Sequence, residues 1–156
     1  MERIDNNWLL RNLRYVLNID DSKMYEIFTS SGSRVSEEEV KCFLKKEEEE
    51  NFKKCENIDL ELFLNGLIEW KRGKKEDKEE EEVTGRITNN DIFKKLRVAF
   101  NLRSENIIEI FSLAGGEIRE SEVSAIFRKI GHRNYKPCGN RYLRDFMKGL
   151  TLYIKK

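Results

Sequence analysis

No uncharged run in this 156-residue chain exceeds seven positions, and a membrane-crossing helix needs about 20 apolar residues in a row. The opening Met1-Glu2-Arg3-Ile4-Asp5 lacks an apolar h-region, so no secretory signal is expected. Cysteine occurs three times, an odd count; without an export signal this reads as reduced thiols in a cytoplasmic protein. Histidine occurs once, at position 132. Neither G-x-x-x-x-G-K-[ST] nor G-x-G-x-x-G is present, so no phosphate-cradling loop is legible. Catalysis needs a tuned acid or base, a nucleophile beside it, or a metal. No such constellation can be assembled from the pattern, and a non-enzymatic protein without a cofactor is expected.

What the chain does have is charge and a repeat. Charged residues make up 38% of it, 30 basic against 29 acidic. Its apolar residues nevertheless recur at helical spacing rather than scattering. Displaced by 83 positions, the chain matches itself without a gap. Asn6-Asn7 falls on Asn89-Asn90, Leu13-Arg14 on Leu96-Arg97, and Asn18 on Asn101. Glu26-Ile27-Phe28 falls on Glu109-Ile110-Phe111, and Gly32 on Gly115. Cys55/Cys138, Asn57/Asn140, Leu60/Leu143, Phe63/Phe146 and Gly66-Leu67/Gly149-Leu150 follow. Roughly three in ten aligned pairs are identical, the mark of a tandem duplication. The division is a first repeat at 1–73, a charged linker at 74–86 whose only apolar residue is Val83, and a second repeat at 87–156.

Each repeat carries four helical patterns. Leu9, Leu13, Val16 and Leu17 share one face, as do Ile92, Leu96, Ala99 and Phe100. A second helix opens at Asp21 or Ser104 as N-cap, carries Met24, Ile27 and Phe28 or Ile107, Ile110, Phe111 and Ala114, and stops at Gly32 or Gly115. The third begins with the capping box Ser36-Glu37-Glu38-Glu39 and buries Val40, Phe43 and Leu44, matched by Val123, Ile126 and Phe127. The fourth buries Leu60, Phe63, Leu64 and Leu67, or Leu143, Phe146, Met147 and Leu150. Gly66 and Gly149 lie inside that helix, where glycine costs about 1 kcal/mol relative to alanine; close approach of another helix explains them. No period-2 run of β-branched residues competes. The fold expected is all-α, two four-helix repeats packed about a pseudo-two-fold axis.

Several segments carry a family resemblance. They are Leu44-Lys45-Lys46-Glu47 leading to Phe52 and Cys55, Phe63-Leu64-Asn65-Gly66-Leu67-Ile68, and Lys71-Arg72-Gly73-Lys74. In the second repeat they are Asn89-Asn90, Lys94-Lys95-Leu96-Arg97, His132-Arg133-Asn134-Tyr135-Lys136, Cys138-Gly139, Leu143-Arg144 and Gly149-Leu150. Through these the chain resembles the YehS-like bacterial proteins, built from two copies of a domain of unknown function. The resemblance implies the repeat and no activity. At Pro137-Cys138-Gly139-Asn140 the chain departs from the family pattern, which has Glu before the cysteine and Asp after the glycine.

The near-neutral total hides an asymmetry. Residues 1–73 carry 12 basic and 16 acidic side chains, residues 74–86 carry 4 and 6, and residues 87–156 carry 14 and 7. Net charges are therefore −4, −2 and +7. The divergence is concentrated where Glu49, Glu50, Ile58, Glu61 and Asn65 become His132, Arg133, Arg141, Arg144 and Lys148. Arg141, Arg144 and Lys148 fall on one helical stripe opposite the apolar face, with Arg128, Lys129, Tyr135 and Lys136 just before it. Such a stripe holds a phosphate backbone, with Tyr135 placed to stack on a base. It is equally what a solvated helix face, or one docked on an acidic surface, presents. His132 and Cys138 with Cys42 or Cys55 do not have the spacing of a zinc site, and no metal is expected. The expectation is a protein-interaction module with a protein partner or self-association, nucleic acid (RNA or DNA) as the alternative, and no membrane.

Overall fold

A computed structural model describes residues 3–73 and 82–155. Among these residues there are eight α-helices and no strand. The first repeat forms α1 (Asn6–Leu17), α2 (Asp21–Ser30), α3 (Glu37–Phe43) and α4 (Asn57–Arg72). The second forms α5 (Asn89–Ala99), α6 (Ser104–Leu113), α7 (Glu120–Ile126) and α8 (Asn140–Ile154). No helix among the described residues is long and apolar enough to cross a membrane.

The residues settle into two compact units, Asp5–Ile87 and Met1–Ile4 with Thr88–Lys156. Of the linker read at 74–86, residues 74–81 lie outside the described residues. Beyond them, Gly85 donates its N–H to Glu61 Oε1 at 3.1 Å and Ile87 is buried, both within the first unit.

In each unit the last helix is the central element. Leu60, Phe63, Leu64 and Leu67 of α4 are buried, as are Leu143, Phe146, Met147 and Leu150 of α8. α4 packs chiefly on α2, and α8 on α6. The two interior glycines set that approach. A Cβ on Gly66 would stand 2.1 Å from the Ile27 carbonyl oxygen, and one on Gly149 would stand 1.9 Å from that of Ile110. Backbone meets backbone there, and no side chain fits.

Local signals differ from expectation in two ways. The N-caps of α2 and α6 are Asp20 and Arg103, one residue before Asp21 and Ser104. Asp20 is extended, and its carboxylate accepts the Lys23 N–H at 2.8 Å, which leaves Asp21 already helical. At α6 the helix start is closed from inside, where Asn106 Oδ1 accepts the Arg103 N–H at 2.8 Å. The apolar faces also shift. Leu17, Phe100, Leu44 and Phe127, at helix ends, are only half-buried. Leu10 and Phe93, one position past Leu9 and Ile92, are fully buried. The Phe93 ring lies 4.6 Å from that of Phe146 and 4.9 Å from that of Phe127, at the centre of the second core. α1 and α5 are therefore apolar over a wider arc than the i, i+4, i+7 series marks.

Candidate interaction surface on the second repeat

α8 has two faces. Its apolar side fills the core, and Arg141, Arg144 and Lys148 stand exposed on the other. Arg141 is 93% exposed and its Nε lies 3.9 Å from Asp145 Oδ2, a pair of little energetic weight at the surface. The change from Glu61 to Arg144 is more than a surface charge reversal. Glu61 is buried and accepts the Gly85 N–H, whereas Arg144 faces solvent.

The loop before α8 is held by α5. Asn90 Nδ2 donates to the carbonyls of Ile126 and Lys136, both at 2.9 Å, and Asn90 Oδ1 accepts the Cys138 N–H at 2.8 Å. Beside it, Asn89 Nδ2 donates to the Cys138 carbonyl at 3.0 Å and to Asn140 Oδ1 at 2.7 Å. The first repeat repeats the arrangement. Asn7 Nδ2 donates to the carbonyls of Phe43 and Lys53, Asn7 Oδ1 accepts the Cys55 N–H, and Asn6 Nδ2 donates to Cys55 O and Asn57 Oδ1. A buried amide matches two backbone carbonyls and one N–H that would otherwise be unsatisfied. The Asn-Asn, Cys and Asn identities across the repeat are thus one device, a clamp that closes the loop before the last helix. The repeat alignment marks these residues, but not what they do.

On that loop Arg128, Lys129, His132 and Arg133 are exposed. His132 Nδ1 accepts the Asn134 N–H at 3.0 Å, and Arg128 Nη1 lies 3.4 Å from its Nε2. Tyr135 and Lys136 are half-buried, and the Tyr135 N–H donates to the His132 carbonyl at 2.9 Å. Burial, then the nearby Asp91 and Cys138, pushes the Tyr135 phenol above its ordinary range. Lys136 Nζ sits 2.8 Å from the Tyr142 hydroxyl and donates to Glu122 Oε2 at 3.1 Å, while that hydroxyl donates to Glu122 at 2.9 Å. These contacts raise the ammonium and hold the Glu122 carboxyl below the usual carboxylate range. The first repeat pairs Lys53 with Glu39 at the matching positions. Glu122 and Tyr142 were not singled out from sequence; the identities Glu39/Glu122 and Lys53/Lys136 are the signal that marks this pair.

The structure therefore brings Arg128, Lys129, His132 and Arg133 together on one exposed loop, and Arg141, Arg144 and Lys148 on one helix face. Arg128 also lines a solvent-open groove of about 600 Å³ with Glu120, Ser121, Ser124, Ala125 and Asn134. In the first repeat the positions of Ser121 and Ser124 are Glu38 and Lys41, an ion pair at 3.5 Å. Lys45, at the position of Arg128, donates to the Glu50 carbonyl.

Among the described residues no three His, Cys, Asp or Glu side chains group as a metal site. Cys55 and Cys138 are buried. Burial pushes the Cys138 thiol up to about 12, against the opposing charge of Lys136. Such a thiol is protonated at neutral pH, which disfavours it as a nucleophile.

A family model for a protein of unknown function (DUF1456) matches the chain twice, over residues 6–73 and 89–155. The chain belongs to the DUF1456 family. The two DUF1456 matches coincide with α1–α4 and α5–α8. The chain is also 37% identical over 153 residues to the uncharacterized protein YehS of Escherichia coli (strain K12), covering 97% of this chain and 98% of that protein. No solved structure matches.

Proposed function

We propose that this DUF1456 protein is a non-enzymatic interaction module that docks an acidic protein surface on the exposed basic face of its second repeat. The observation that carries the reading is exposure: Arg128, Lys129 and Arg133 on the loop and Arg141, Arg144 and Lys148 on α8 are all exposed, while the clamp and core beneath them repeat those of the net-acidic first repeat. One scaffold with two oppositely charged exteriors suits charge-selective association, in which complementary potentials set encounter rate and partner choice.

Two details favour a protein over a nucleic acid. The aromatic placed to stack on a base, Tyr135, is half-buried, and Lys136 is engaged by Glu122 and Tyr142. In addition, Glu120 lies in the groove with Arg128, and Asp145 sits beside Arg141. A phosphate backbone is better served by an uninterrupted basic track.

The test is affinity capture with the intact chain, comparing wild type with Arg141→Glu plus Arg144→Glu. A specific protein partner retained at moderate salt by wild type and lost by the variant is the expected result. Absence of any such partner overturns the reading. Salt-steep binding to labelled RNA or DNA that the same variant abolishes would instead establish nucleic-acid binding.

A further inference from the structure

We propose that the groove beside α7 is a binding site for a small phosphate monoester, whose phosphate is held by Ser121, Ser124, Arg128 and His132. Ser121, Ser124 and Arg128 line the groove, spaced three and four positions apart along α7 and the turn that follows it. The Arg128 N–H donates to the Ala125 carbonyl at 3.4 Å, so that turn keeps the helical course and the three side chains share a face. The hydroxyls of Ser121 and Ser124 make no hydrogen bond to the described residues, and Arg128 pairs with no carboxylate among them. His132 supplies the sharper detail. Its Nδ1 accepts the Asn134 backbone N–H at 3.0 Å, which places the ring hydrogen on Nε2. That Nε2 lies 3.4 Å from Arg128 Nη1, which is itself a donor. Two N–H donors thus stand side by side, and neither can accept from the other. One anionic oxygen beside them satisfies both.

The first repeat carries the same scaffold without these groups. Its residues at the four positions are Glu38, Lys41, Lys45 and Glu49. Glu38 and Lys41 pair at 3.5 Å, Lys45 donates to the Glu50 carbonyl at 3.0 Å, and Glu49 Oε1 accepts the Lys46 N–H at 3.2 Å. Each charge there is answered within the repeat, and the two carboxylates would repel an anion. In the second repeat both carboxylates are replaced, and hydroxyls, a guanidinium and an imidazole N–H remain to receive one. These donors outnumber what the two oxygens of a carboxylate, or the two unesterified oxygens of a phosphodiester, can engage. They suit the three terminal oxygens of a phosphate monoester, which the guanidinium fork can grip in bidentate fashion. The groove, about 600 Å³, is larger than a phosphate needs and falls within the range of small-molecule sites. Glu120 also lines it, and its carboxylate accepts from hydroxyl groups on the organic part. The ligand class is therefore a small hydroxylated phosphate monoester.

This site goes beyond protein docking and does not rest on it, although Arg128 belongs to both. The test is titration of the intact ¹⁵N-labelled chain with glycerol phosphate, followed by amide NMR. Salt is held at about 0.15 M, where well-separated surface charges are screened. Saturable shifts centred on Ser121, Ser124, Arg128 and Asn134 are expected, with none from glycerol and weaker ones from the diester dimethyl phosphate. Arg128→Gln should weaken binding about tenfold or more, and Ser121→Ala plus Ser124→Ala about fivefold, with helical circular dichroism kept. Arg141→Glu plus Arg144→Glu should still bind glycerol phosphate, whatever becomes of protein docking. No saturable shift up to about 10 mM, a concentration that reveals even millimolar affinity, overturns the proposal. Equal binding of dimethyl phosphate, or unchanged affinity in the serine variant, also overturns it, because either result reduces the site to general charge attraction.

Discussion

Asn90 Oδ1 accepts the backbone N–H of Cys138 at 2.8 Å across 48 positions of sequence, and Asn7 does the same for Cys55 at 3.0 Å. Each of these side chains satisfies three backbone groups at once, so a loop with no regular structure is fixed as firmly as a helix end.

Replacing Asn7 with alanine strands the Cys55 N–H and the carbonyls of Phe43 and Lys53 in a site where Asn7 itself is 1% exposed. Each buried group left unpaired costs about 1–3 kcal/mol. A loss of about 3 kcal/mol or more in the unfolding of the first unit is expected from urea titration. A variant within about 0.5 kcal/mol of wild type, the range of a neutral surface change, would dismiss the clamp.

Gly149→Ala should destabilise despite alanine's better helix propensity. The new Cβ falls 1.9 Å from the Ile110 carbonyl oxygen, so α6 and α8 must separate. Overpacking costs about 1–3 kcal/mol, more than the ~1 kcal/mol gained by removing a helical glycine. The sign of the change in thermal midpoint is the readout, and a rise would contradict the close approach.

Thiol labelling at neutral pH should modify Cys42 quickly, and Cys55 and Cys138 only on unfolding. Cys42 is half-exposed, whereas the other two are buried. Mass spectrometry of the labelled intact chain counts the sites. Fast labelling of all three under native conditions would refute it.

Alkaline pH should weaken the second unit. Burial holds the Cys138 pKa at about 12 against an ordinary value of 9.0, so between those limits the unfolded chain binds fewer protons than the folded one. The stabilisation is complete below about 9 and is lost as pH rises towards 12, at up to about 1.4 kcal/mol per pH unit. Cys138→Ala should flatten that slope in urea midpoints measured across the window.

Acid acts through Glu122. Lys136 and Tyr142 hold its carboxyl below the usual value of 4.5, so its contribution is present above that pH and disappears as pH falls through the lowered pKa. Glu122→Gln should make stability less sensitive to pH below about 4.5, measured by urea midpoints along an acid series. An acid limb identical to wild type would mean that the Glu122–Lys136–Tyr142 contacts carry no folding energy.

The repeat, the eight helices among the described residues and most of the core were decided by local pattern. The apolar faces of α4 and α8 recur at helical spacing, and the capping box at Ser36 closes its helix with bonds from Ser36 and Glu39, three residues apart. Those signals are short-range, so they can be read along the chain, as can the charge divergence that exposes Arg141, Arg144 and Lys148. Only the tertiary structure decided what reaches across it. The identities at Asn7/Asn90 and Cys55/Cys138 mark a relationship, but nothing in a sequence says that an amide at one position satisfies an N–H 48 positions later. The burial of Tyr135, the pairing of Lys136 with Glu122 and Tyr142, and the crossing of Ile4 and Ile87 into the opposite units have the same origin. Each depends on which backbone groups would be unsatisfied and which apolar groups exposed once the helices have packed, and those needs arise only when distant segments meet.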